Sequence, residues 1–238
     1  MITKTNCYNI HLTFGKKNVE SNIDSFIAKN EKGYVCVVDM NVIANTFTNK
    51  DYNEIVNNAS FNTCDGSVLA FIKNLKSNNK EKLYSYNGPE IFENYIYKSN
   101  VRQLLIGPNQ DDFNLLRNKI GHSDHLTLME LPFKKVDEFD YIMIAKKINE
   151  IKPNLVWVLL GAPKQEYFIS KIFPYVNHGL FLGTGAALNF FLKRVNNRTF
   201  SILGLRFIWL ERVFLEPEKQ LKRLYNFFKV LPKIIRNA

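Results

Sequence analysis

Short runs that are apolar at nearly every position recur along this chain, and segments of helical length separate them. The runs are Tyr34 to Val38, Leu104 to Gly107, Leu126 to Leu131, Leu155 to Leu160 and Leu180 to Leu182. A strand with one face in water alternates apolar and polar residues, whereas a strand covered on both faces need not. The runs therefore predict buried strands. The stretches at 51–59, 65–76, 111–120, 138–151 and 165–173 predict helices. Strand and helix in alternation point to an α/β fold, a Rossmann-like parallel sheet with helices on both faces. Ligands of such sheets bind beyond the carboxyl ends of the strands, so the loops just after the runs are where chemistry is expected.

The pattern changes near Asn196, after which no strand is predicted. Residues 206–238 hold eight Lys or Arg against Glu211, Glu216 and Glu218, which is half of the net charge of +10 of the 238-residue chain. Large apolar residues interleave with them, among them Phe207, Trp209, Leu210, Phe214 and Tyr225. Pro217 is expected to begin a helix or kink one. A helix from there carries Leu221, Leu224 and Phe228 at helical spacing. Two parts are therefore expected, an α/β domain over 1–195 and a basic amphipathic helical appendage over 196–238. Such an appendage suits an anionic bilayer surface. Taken alone, the tail fits slightly better as helices docked on the core with their basic face in water.

The charge excess predicts anionic partners: nucleic acid, phosphate-bearing substrates or an acidic membrane. Cys7, Cys36 and Cys64 are odd in number and form no C-x-x-C, so reduced thiols are expected. No secretory signal is visible at the start, and no apolar run approaches the length of a membrane span. A cytoplasmic protein able to touch a membrane is expected. The chain carries 29 Asn, which weakens any argument from a single one.

Four places can carry chemistry. Asp39 and Asn41 follow the first strong run and share a side if the strand continues, where they can hydrogen-bond a sugar or nucleoside. Asp and Asn also favour turns, and taken alone the turn is the better reading. Asp65-Gly66 precedes a helix that Asp65 can cap. At a strand-to-helix junction the same carboxylate can take a proton from a hydroxyl nucleophile, and Gly66 lets the backbone approach a substrate. The most informative segment is Gly161-Ala-Pro163-Lys164-Gln165-Glu166, directly after the strongest run. Pro163 pre-sets the helix start, Lys164 and free N–H groups can hold phosphate, and Gln165 and Glu166 can read a base or ribose. The segment is neither a Walker A loop nor a dinucleotide fingerprint. The fourth place is Gly183-Thr184-Gly185, where small residues after a strand admit a ligand to the backbone. His122 and His125 lack a ligand set, so no metal site is expected.

Read together, Asn41, Asp65-Gly66, Gly161 to Glu166, Gly183 to Gly185 and Leu205 to Lys222 occur in an order that resembles the TagA/WecG/CpsF family, glycosyltransferase family 26. The resemblance covers roughly 30–230, and its G-x-P-K-Q-E string is specific. It implies transfer of a sugar, a hexose or N-acetylhexosamine, from a UDP-sugar donor to a polyprenyl-diphosphate-linked acceptor, for wall teichoic acid, capsule or other surface glycans. It implies no cofactor or metal, with UDP-sugar as a substrate. Asp65 maps to the general base. Gly161, Pro163, Lys164, Gln165 and Glu166 map to the nucleotide-sugar pocket. Arg212, Lys219 and Lys222 map to an appendage that meets the diphosphate and the inner face of the cytoplasmic membrane. Asp39 stands where the family carries Thr, as a second carboxylate near Asp65 or a holder of a different acceptor hydroxyl. Lys219 and Lys222 stand where it carries Arg, which removes the bidentate fork. An inactive nucleotide-sugar- or lipid-binding homologue is the alternative. A nucleic-acid binder ranks last, because no such motif appears. A homo-oligomer would mask the apolar tail.

Overall fold

A computed structural model describes residues 4–77, 81–193, 201–202, 205–206 and 217–238. Strands β1 (Thr5–Cys7) and β2 (Ile10–Leu12) form an antiparallel hairpin. Its turn residues Tyr8 and Asn9 have φ of 56° and 62°, the left-handed pair that matches the twist of two joined strands. Asn tolerates that conformation, while Tyr8 is held there by burial. Its hydroxyl donates to the Leu69 carbonyl, and its N–H donates to the Asn237 carbonyl at 2.6 Å.

Helix α1 (Lys16–Lys29) leads to β3 (Gly33–Val38), α2 (Met40–Thr48), α3 (Lys50–Asn57) and β4 (Phe61–Cys64). Then come α4 (Ser67–Lys76), α5 (Gly88–Ile96), β5 (Gln103–Ile106), α6 (Gln110–Ile120) and β6 (Leu126–Met129). The sequence continues through α7 (Tyr141–Ile151), β7 (Leu155–Val158), α8 (Lys164–Ile172), β8 (Leu180–Gly183) and α9 (Ala187–Phe191). A short antiparallel pair, β9 (Ser201–Ile202) and β10 (Leu205–Arg206), precedes the C-terminal helix Pro217–Arg236. The strand-free reading of the tail is thus corrected; two residues per strand are too few to leave a pattern.

Six strands form one parallel sheet in the order β4-β3-β8-β7-β5-β6. Alternate residues feed the two faces. Tyr34, Cys36, Val38, Val156, Val158 and Phe181 pack with α2, α3, α7, α8 and the C-terminal helix. Val35, Val37, Leu155, Trp157, Leu180 and Leu182 pack with α1, α5, α6 and α9. Both faces are covered, which is why the strands read as unbroken apolar runs. Many of the Asn and Asp residues prove to be helix caps. Asn49, Asn87, Asn109 and Asp140 each accept the N–H three residues on.

The outer side of β4 is occupied by its own chain. Thr13 bridges Thr63, its N–H donates to the Asn62 carbonyl at 2.7 Å, and Tyr86 N–H donates to the Cys64 carbonyl at 2.9 Å. The C-terminal helix docks through Phe227, Val230 and Ile234, all buried, against the α2 side of the core. All three cysteines are buried free thiols.

Candidate active site

Four neighbouring strands, β4, β3, β8 and β7, deliver the sequence candidates to one edge of the sheet. Their carboxyl ends carry Asp65, Asp39, Thr184 and Gly161 in that spatial order. Asp65 N–H donates to the Val38 carbonyl at 2.9 Å, which pins the end of β4 to that of β3. Asp65 is not the cap of α4: Gly66 holds that position and makes no side-chain cap bond. Instead Asp65 Oδ1 accepts Gly88 N–H at 2.8 Å, at the start of α5. The bond fixes the carboxylate's orientation at a half-buried position.

At Asp39 and Asn41 the turn, the better of the two local readings, is what forms. The strand stops at Val38, and Asp39 caps α2 with Oδ1 accepting Val42 N–H at 2.8 Å. The turn preference of Asp therefore wins locally. Asn41 lies in the first turn of α2, and its carbonyl accepts from Asn45 Nδ2 at 2.8 Å.

After β7 the chain turns through Gly161 into α8. Pro163 occupies the cap position with φ −88°, one residue earlier than the first helical position expected for it, and the Ala162–Pro163 bond is cis. Lys164, Gln165 and Glu166 then form the first turn, and Gln165 N–H already donates to the Gly161 carbonyl at 3.0 Å. The three side chains part. Lys164 reaches across to the loop after β6, where Nζ donates to the Lys134 carbonyl at 3.0 Å and lies 5.4 Å from the Phe139 ring centroid. Gln165 folds over β8, and Nε2 donates to the Gly183 carbonyl at 2.9 Å. Gly183 allows this close approach, because a Cβ there would come 3.0 Å from that nitrogen and the Gln165 side chain would have to give. Glu166 lies wholly buried behind Gln165. Its Oε1 accepts Gln165 Nε2 at 2.8 Å and its Oε2 accepts the Tyr52 hydroxyl at 2.9 Å.

Tyr52, on α3, was invisible as a site residue in the sequence. It lies 114 positions from Glu166 and within an ordinary amphipathic helix. Burial and the adjacent Glu166 carboxylate push its hydroxyl well above the ordinary range, so it remains a donor at neutral pH. Burial likewise raises Glu166 from an ordinary 4.5 to about 7, opposed by the bonds from Gln165 and Tyr52 and reinforced by Asp39. Between those values the unfolded carboxyl ionises while the folded one keeps its proton. The stabilisation is full below 4.5 and is lost as pH rises through about 7. Glu166→Gln cannot ionise, so its unfolding midpoint should gain on wild type as pH climbs through that window. A difference that stays flat with pH would remove the argument.

Thr184 and Gly185 complete the edge. Gly185 has φ +56°, and a Cβ there would lie 3.6 Å from Gln165 Oε1 and 3.7 Å from Gly161 Cα. Gly88 is close as well, since a Cβ on it would come 3.4 Å from the Thr184 carbonyl. Asp65, Gly88, Thr184, Gly183 and Gln165 thus form a continuous line across the strand ends. Lys164 turns aside from it. Arg212 lies outside the described residues, as does the side chain of Lys219, while Lys222 is exposed on the C-terminal helix. The surface hollow lined by Asn114, Arg117 and Ser123 follows α6 at the opposite end of the sheet. Among the described residues no group of three His, Cys, Asp or Glu could hold a metal ion.

A family model described as glycosyl transferase WecG/TagA/CpsF family matches residues 7–238. An N-acetylglucosaminyldiphosphoundecaprenol N-acetyl-beta-D-mannosaminyltransferase of Bacillus subtilis (strain 168) is 23% identical over 210 residues, covering 84% of this chain and 81% of that protein.

Proposed function

The chain belongs to the glycosyl transferase WecG/TagA/CpsF family, and from that premise we propose that it moves a sugar from a UDP-sugar to a polyprenyl-diphosphate-linked acceptor. The observation that carries the reading is the line of Asp65, Thr184 and Gln165 along the carboxyl ends of adjacent strands, where sheets of this kind bind nucleotides. The acceptor hydroxyl attacks the anomeric carbon of the donor, and Asp65 takes its proton as the new C–O bond forms. A sugar hydroxyl is too weak an acid to ionise beforehand, so the base acts during attack. The old bond from the anomeric carbon to the diphosphate oxygen breaks, and UDP leaves with the electron pair. Cations of the chain stabilise that charge in this reading, and no metal is required. Asp39 stands beside the base as a second carboxylate, able to hold a hydroxyl of either sugar.

The acceptor implied by the relative's name is a membrane lipid, so the protein must reach a bilayer. No helix among the described residues is long and apolar enough to cross one. The C-terminal helix instead offers a second apolar stripe opposite its docked face. Leu221, Tyr225 and Phe228 are 58%, 69% and 61% exposed, beside exposed Lys222 and Lys229. That combination suits peripheral attachment to an anionic leaflet, the cytoplasmic one in this reading. Leu221→Ser with Phe228→Ser should reduce co-sedimentation with phosphatidylglycerol vesicles by about tenfold or more, because each buried side chain contributes roughly 1.5–3 kcal/mol. Unchanged sedimentation of a folded double variant would place the membrane contact elsewhere.

The function itself is tested by UDP release from a panel of UDP-sugars, with an N-acetylglucosaminyl-diphosphate lipid in detergent. Release that depends on the acceptor supports the transferase. UDP binding without turnover across acceptors of several sugar types would favour a nucleotide-sugar-holding homologue.

A further inference from the structure

Two polar oxygens next to the proposed donor pocket are buried and have no hydrogen-bond partner among the described residues: Gln165 Oε1 and Thr184 Oγ1. Their residues are 3% and 6% exposed. An orphaned buried acceptor is costly, and native structures seldom keep one without a use. Gln165 is not free to relieve it by rotating. Its Nε2 stands between two acceptors, Glu166 Oε1 at 2.8 Å and the Gly183 carbonyl at 2.9 Å. With Glu166 ionised, or with its proton on Oε2, turning the amide over would set its oxygen against both of them. Glu166 is in turn held by the Tyr52 hydroxyl, and Tyr52 by its packing against Tyr167 with ring centroids 5.5 Å apart. The oxygen side of the amide faces Gly185, where a Cβ would come 3.6 Å from Oε1.

We infer that Tyr52 and Glu166 are positioning residues that lock the Gln165 amide one way round, so that its oxygen takes a hydrogen-bond donor, an N–H or O–H, from the nucleotide part of the sugar donor. This deepens the donor reading above and rests on it. The relay makes the pocket selective by polarity: a ligand that presents an acceptor at this point meets a second acceptor that cannot turn away. A uracil imide N–H and a ribose hydroxyl both satisfy the requirement, and they are separable by chemistry.

The test compares affinities of the full-length protein for UDP, UDP methylated at the uracil imide nitrogen, and UDP lacking both ribose hydroxyls. In wild type, the analogue that has lost the donor should bind about tenfold or more weaker than UDP. Glu166→Leu frees the amide to present either end, and that ratio should fall towards one. Glu166→Gln keeps an oxygen for Gln165 Nε2, with the Tyr52 hydroxyl now accepting, and should restore the ratio. Tyr52→Phe keeps the ring packing and should lower the ratio at least about threefold, so the inference stays testable even if Glu166→Leu fails to fold. A merely structural role would weaken all three ligands alike and leave the ratio untouched, which would overturn the inference. Equal binding of all three ligands to wild type would overturn it too, while sparing the donor reading. Failure of UDP itself to bind wild type would bring down both.

Discussion

Asp65→Asn should lower acceptor-dependent sugar transfer by about 10²–10⁴-fold, the range that a positioned general base supplies. Asparagine has nearly the same shape, and its side-chain oxygen can still accept Gly88 N–H, the bond that holds the carboxylate at 2.8 Å in the parent. The strand-end geometry should therefore survive, as should UDP affinity, and the loss should fall on kcat. Asp39→Asn in parallel separates the two carboxylates. Its oxygen can still cap α2 at Val42 N–H, so any large fall in turnover would have to come from the lost charge. If Asp65→Asn transfers sugar at near the parental rate while Asp39→Asn does not, the base has been assigned to the wrong strand. If neither slows transfer, the carboxylates are structural and the base must be sought elsewhere.

The largest stability effect is expected at Trp157. It is fully buried in β7, and its Nε1 donates to Gln103 Oε1 at 2.7 Å. Gln103 passes the chain on, with Nε2 donating to the Tyr95 carbonyl at 2.7 Å. The Phe92 ring meets the indole edge-on, centroids 5.0 Å apart. Trp157→Ala leaves a cavity worth about 3–5 kcal/mol and strands the Gln103 oxygen for about 1–3 kcal/mol more. Against a total of roughly 5–15 kcal/mol that is a large share, and the melting temperature should fall by about 10–20 °C. Trp157→Phe keeps most of the volume and loses the donor, so its smaller drop measures the orphaned oxygen. A Trp157→Ala protein melting within a few degrees of wild type would mean that the α1, α5, α6 and α9 face is far looser than described.

The central strands were legible because burial on both faces leaves unbroken apolar runs. Strand β4 was not, although it is buried throughout. Its sequence Phe-Asn-Thr-Cys is half polar, and those polar groups are used internally. Asn62 Nδ2 donates to the carbonyls of His11 and Val56, and the Thr63 hydroxyl donates to the Tyr86 carbonyl. Helix α1 was missed for a related reason. Val19 and Ile23 are buried at helical spacing, but Asn18, Asn22 and charged residues dilute the stripe in a chain rich in Asn. At Asp39 the turn preference of Asp decided correctly between a continued strand and a helix start.

Within the candidate site, local strings carried the information. Gly161 to Glu166 and Gly183 to Gly185 were readable because each is contiguous and follows a strong run. What that contiguity hid is that Lys164, Gln165 and Glu166 point three ways. One crosses to the next loop, one folds over the neighbouring strand, and one turns inward. The partner that makes Glu166 intelligible lies on α3, and a contact between residues that far apart leaves no trace in spacing. The tail was read through its charge, and its docking through Phe227, Val230 and Ile234 follows the same helical period as the exposed stripe opposite it.

The covered flank of β4 bears on how these molecules can meet one another. A parallel sheet with a bare outer strand invites another chain to extend it, the route to runaway fibrils and to strand-swapped pairs. Here Thr13 and Tyr86 already take up backbone groups on that border. A second copy cannot dock there by adding a strand unless the segments carrying Thr13 and Tyr86 first peel away. Contacts between copies on this side must be made by side chains, so they can be tuned or abolished by surface substitutions that leave the sheet intact.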